Sequence, residues 1–133
     1  MMKEEDTFTP LERSVIEQLL CGDDPMLEAL REQFHESKAL MRELTGAGFF
    51  TKIHVPANMR AAPQRSFKIG DVEAEIDGLE HGAGFLLYIE KGQLHMLEGY
   101  SYDEEWPSVV RSFKVSFTPG PDRDLPSLRN MWS

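Results

Sequence analysis

AGFLLYIEKGQLHMLEGYSY, residues 83–102, is the stretch on which the fold turns. Phe85 to Ile89 carries apolar side chains at both phases of a two-residue period, which marks a strand covered on both faces at the centre of a sheet. Leu94 to Tyr102 is a second strand. Between them Glu90-Lys91-Gly92-Gln93 is short enough for a tight hairpin, with Gly92 supplying the positive φ that such a turn requires. The centre of the molecule is therefore an antiparallel pair.

Outward from that pair the same period recurs. Phe67 and Ile69 alternate in one phase and Val72, Ala74 and Ile76 in the other, so Gly70-Asp71 is either a tight turn or a bulge. Phe49, Thr51, Ile53 and Val55 point one way from a strand that Pro56 ends, and Pro56 to Gln64 reads as a loop. Val109 to Phe117 is a last strand with Phe113, Val115 and Phe117 inward. Upstream the period is helical. Thr9-Pro10-Leu11-Glu12 combines a cap, a first-turn proline and the glutamate of a capping box, and Leu11, Val15, Leu19 and Leu20 form the apolar stripe. Asp24-Pro25 starts a second helix, whose stripe Leu27, Leu30, Phe34, Met41 and Leu44 carries it to Thr45-Gly46. Helices first and hairpins afterwards predict an α+β domain. An N-terminal helical hairpin packs on one face of a mainly antiparallel sheet of about five or six strands. Residues 1–133 form one domain, with 1–8 a frayed N-terminus and 119–133 an irregular C-terminal tail.

A chain of 133 residues, 41% hydrophobic and 28% charged, has the length and composition to bury a core of its own. The longest apolar run, Ala83 to Ile89, is far short of a membrane span, and the charged start is unlike a secretory signal, so no membrane partner is expected. Cys21 is the only cysteine. It can form no internal disulfide and suits a reducing, cytoplasmic setting.

Of the net charge of −9, the distribution says more than the total. Residues 44–70 hold 4 bases and no acid, whereas residues 71–105 hold 10 acids and 1 base. Such a surface repels phosphate backbones, so nucleic acid is not an expected partner and a basic protein is.

Catalytic patterns are missing or incomplete. The four histidines, His35, His54, His81 and His95, fall in different elements, and Glu32 to His35 lacks the further carboxylates that a di-iron site needs. Gly99 to Asp103 begins like a nucleophile elbow without its second glycine, and Gly82-Ala83-Gly84 lacks the third glycine of a phosphate cradle. No metal or cofactor is expected. Two groups stand out instead. Asp71, Glu73, Glu75 and Asp77 alternate along a strand as a ladder of carboxylates, suited to a solvated face, a guarded edge or a basic partner. Glu98, Tyr100, Tyr102, Asp103, Glu104, Glu105 and Trp106 set three rings among four acids, as interaction sites do, although Trp106 could also fold back over the core. A third group, Lys52, Arg60, Arg65 and Lys68, could instead hold an anionic ligand.

Gly48 to Thr51 (Gly-Phe-Phe-Thr), Gly82 to Phe85 (Gly-Ala-Gly-Phe) and Leu97 to Tyr100 (Leu-Glu-Gly-Tyr) followed by Trp106-Pro107 resemble strand blocks of small uncharacterised bacterial α+β proteins. The last block is also similar to one in bacterial toxin-immunity proteins. The resemblance implies a bacterial α+β protein and hints at an immunity-type role, while the net −9 of residues 71–105 together with Tyr100, Tyr102 and Trp106 points to a basic partner. The expected function is accordingly an acidic protein-binding module. An anion binder or enzyme using the basic region, or a homo-oligomer joining the basic segment of one copy to the acidic segment of another, are the alternatives.

Overall fold

The computed structural model describes residues 7–57, 59 and 63–132. Among these, α1 (Pro10–Leu19) and α2 (Pro25–Glu36) precede seven strands. The strands are β1 (Lys38–Leu44), β2 (Gly48–His54), β3 (Phe67–Ile69), β4 (Val72–Ile76), β5 (Ala83–Glu90), β6 (Gln93–Ser101) and β7 (Phe113–Phe117). A short helix, α3 (Leu125–Arg129), follows. Every strand pairing is antiparallel, in the order β1-β2-β6-β5-β4-β7, with β3 beside β5 in line with β4. The α+β class and the central β5–β6 hairpin are those that the sequence predicts.

Both predicted helix starts form. Thr9 Oγ1 accepts the N–H of Glu12 and Glu12 Oε1 accepts the N–H of Thr9, while Asp24 accepts from Met26 and Leu27. The stripes of α1 and α2 meet the sheet through Val15, Ile16, Leu19, Leu27 and Leu30, all fully buried, against Phe85, Leu87, Ile89 and Leu97. Burial of each such side chain contributes about 1.5–3 kcal/mol before the entropy of ordering is set against it. Gln33, also fully buried, donates to Gly92 O and accepts from Leu94 N, which ties α2 to the turn of the central hairpin.

The Gly70-Asp71 question resolves as a bulge. Ile69 lies opposite Leu87 and Glu73 opposite Gly84, so β3–β4 has one residue more than the stretch of β5 it faces. That extra residue shifts the phase, which is why Phe67 and Ile69 appeared out of step with Val72 and Ala74.

Four expectations are corrected. The second helix ends at Glu36, because Ser37 takes an extended conformation, φ −87 and ψ 168, and Lys38–Leu44 pairs along its length with β2. Gly46, at φ 86, then serves a two-residue hairpin turn and not a helix end. The tail is not wholly irregular. Asp124 caps α3, Leu128 and Trp132 are buried, Arg129 binds Asp24, and Arg123 binds both oxygens of Asp71 and the carbonyls of Leu19 and Cys21. At the other end Phe8, expected to fray, packs in the core against Phe34. The last strand begins at Phe113, later than expected, and Val109 is exposed.

Glu12 does more than cap. Its carboxylate, 1% exposed, accepts from Arg42 Nε at 2.7 Å, from Arg42 Nη2 at 2.6 Å and from the Thr51 hydroxyl. Replacing Glu12 by Ala leaves a half-buried guanidinium without its carboxylate, so urea unfolding should show a loss of about 3–5 kcal/mol. Thr51→Val should cost only about 1 kcal/mol in the same assay.

Candidate binding face

An antiparallel sheet with one face on a core ordinarily turns a polar face to water. Here the face away from the helices is mixed. Register places Phe50, Glu98 and Leu86 in one row, and Lys52, Met96, Tyr88 and Lys68 in the next. Tyr100, Gly84 and Glu73 form a third. Phe50, Leu86, Tyr88, Met96 and Tyr100 are half-exposed, whereas Phe85, Leu87 and Leu97 on the opposite face are fully buried.

The rings are held in place. A side chain at position 84 would put its Cβ 2.6 Å from Cζ of Tyr100, so the glycine is what allows that ring to lie across the neighbouring strand. Tyr102 meets Tyr100 edge to face at 5.7 Å and 86°. Tyr88 donates its hydroxyl proton to Glu98 at 2.8 Å, and the Lys68 ammonium stands 5.5 Å from the Tyr88 ring. The hydrogen bond to Glu98, with burial second, raises the Tyr88 phenol above the ordinary 10.0. Burial, then the neighbouring Tyr102, does the same for Tyr100. Both phenols therefore stay neutral donors through the physiological range.

The predicted ladder is three carboxylates long. Glu73, Glu75 and Asp77 are exposed, but the bulge removes Asp71, which is half-buried and bound to Arg123. Beside the ladder lies a cleft of about 660 Å³ lined by Glu73, Glu75, Asp77, His81, Tyr102 and Lys114.

The acidic and aromatic stretch 98–106 does not act as one patch. Glu98, Tyr100 and Tyr102 belong to the open face. Asp103, at φ 62, and Glu105 are exposed at the turn. Glu104 is engaged internally, accepting the backbone N–H groups of Glu80 at 2.8 Å and His81 at 2.9 Å. It thereby pins the loop that shapes one wall of the cleft. Trp106 packs edge-on against Phe49, centroids 5.4 Å apart, and donates its backbone N–H to Gly46 O. Its ring lines a separate apolar cavity of about 310 Å³ near the start of α1, away from the tyrosines.

The three described members of the basic group are spread over the sheet and a loop. Lys52 and Lys68 share a row but are separated by Met96 and Tyr88, and Arg65 sits in the loop before β3. Arg60 lies outside the described residues. Among the described residues no cluster of histidine, cysteine and carboxylates could hold a metal ion, and no helix is long and apolar enough to cross a membrane. Sequence reading passed over Phe50, Leu86, Tyr88 and Met96 as contributors to the face. Their signal was present in apolar residues at the second phase of β2 and β5, where a solvated face would carry polar ones.

No family model matches the chain, no curated protein matches its sequence and no solved structure matches its fold.

The backbone N–H groups of Glu80 and His81 hold the Glu104 carboxyl below its ordinary 4.5. A lowered carboxylate pKa means that the contact is intact above the ordinary value and is lost as pH falls through the lowered one. In an NMR titration the amide protons of Glu80 and His81 should move together with a midpoint below 4.5, and Glu104→Gln should flatten both curves.

Proposed function

We propose that this protein is a non-catalytic binding module that receives a basic protein partner on the open face of its sheet, in the manner of an immunity-type inhibitor. One observation carries the reading: Tyr102 and the carboxylates of Glu73, Glu75 and Asp77 line the same cleft, with the Tyr100 ring beside them. A lysine or arginine of the partner entering that cleft gains carboxylate acceptors at its head and an aromatic face along its stem. Phe50, Leu86 and Met96 supply the apolar area next to it that a lasting interface needs. The acidic field of residues 71–105 raises the rate at which a basic surface arrives. The resemblance of the Leu97–Tyr100 block to immunity proteins points the same way.

The test titrates hexa-arginine into the labelled protein and follows backbone amide shifts. Changes should concentrate on β4, β5 and the second half of β6, and weaken as salt is raised. Glu73→Lys with Glu75→Lys should weaken binding about tenfold or more. Glu17→Lys with Glu28→Lys makes the same change in net charge on the helical side and should have a much smaller effect. Equal losses in the two variants, or shifts centred on α1 and α2, would show that only net charge is at work and refute the site.

A further inference from the structure

The strand β1 is at the edge of the sheet, and among the described residues nothing pairs with its outer side. Three of the exposed large apolar side chains among the described residues lie on it: Leu40 is 58% exposed, Met41 43% and Leu44 72%. Free edges are commonly guarded by proline, lysine, a bulge or inward-pointing charge, and of these Lys38-Ala39-Leu40-Met41-Arg42-Glu43-Leu44 lacks proline. Arg42 points onto the helical side but is matched there by Glu12.

What β1 does contain is a bulge. Ala39 lies opposite Ile53 and Met41 opposite Lys52, so Leu40 is an extra residue. Its effect on the side chains is specific. Lys38 pairs with His54 and Glu43 with Phe50, and both partners point to the open face. Lys38 and Glu43, five positions apart, would take opposite faces on a regular strand, and the bulge puts them on the same one. Both are exposed, and neither has an ion-pair partner among the described residues.

We propose that β1 is the interface of a two-fold dimer, in which it pairs antiparallel with β1 of a second copy of this chain. The register sets Lys38 opposite Glu43 of the second copy, Ala39 opposite Arg42, and Leu40 opposite Met41. In that register Lys38 and Glu43 share the open face and Ala39 and Arg42 the helical one, so two Lys–Glu pairs form by symmetry while the exposed leucine and methionine meet about the two-fold axis. The two-fold axis stands perpendicular to the sheet, so both open faces look to the same side and β2 remains the inner neighbour of β1. The binding face described above does not take part.

Sedimentation velocity over a concentration series tests this, with circular dichroism to confirm that each variant is folded. The native chain should dimerise. Lys38→Glu places two acids opposite each other twice, as Glu43→Lys does two bases, and each should raise the dissociation constant about tenfold. The double variant K38E/E43K restores opposite charges and should dimerise like the native chain. A native chain that stays monomeric throughout, single variants that associate normally, or a double variant that fails to recover would each overturn the proposal. Hexa-arginine binding to the weakened single variants should persist, because the cleft lies on another part of the sheet.

Discussion

A carboxylate cannot be buried without partners, and the fold closes around the one at Glu12. Almost wholly removed from water, that group carries a desolvation cost of several kcal/mol, which only good hydrogen bonds offset. It finds them on three separate pieces of chain: the backbone of Thr9 at the helix start, the guanidinium of Arg42 on β1 and the hydroxyl of Thr51 on β2. Arg42 and Thr51 are opposite each other in the ladder. The contact therefore fixes the register of the first hairpin at the same time as it anchors the helix. A second ion pair does comparable work at the far end, where Arg123 joins Asp71 in the bulge to the carbonyls of Leu19, the last residue of α1, and Cys21 just beyond it.

With one face and its charges settled in this way, the chemistry of the other face becomes informative. Buried aliphatic residues hold the helices to the sheet, while rings, a methionine and carboxylates line the open side. Their arrangement is fixed by close fits: Tyr100 over Gly84, Tyr102 against Tyr100, Tyr88 on Glu98. Rings ordered before a partner arrives lose little freedom on binding, which favours recognition. Ordered rings beside carboxylates are what the proposed binding role calls for.

The strand β1 shows local preference giving way to tertiary demand. Lysine, alanine, leucine, methionine, arginine and glutamate all favour helix, and the segment has no β-branched residue. Pairing with β2 and the ion pair at Arg42 outweigh that preference. The cost is an edge with exposed apolar residues, of which Leu40 and Met41 would be covered in the proposed dimer.

Period-two patterning in residues 83–102 determined the central hairpin, and the Thr9 and Asp24 caps determined where both N-terminal helices begin, because these signals act between near neighbours. The acids and rings of the candidate site were legible as residue types for the same reason. Only the tertiary structure decided where α2 stops, since helix-forming residues 38–44 become a strand by pairing with β2, itself held by β6, and through the contact of Arg42 with Glu12. Only it could divide residues 98–106, sending the tyrosines to the open face, Trp106 to Phe49 and Glu104 to the backbone of Glu80 and His81. A bulge of one residue decided that Asp71 leaves the ladder and that Lys38 and Glu43 share a side. Which face a side chain takes depends on a count of residues between distant pairings, and that count is set when strands meet, not by any window of sequence.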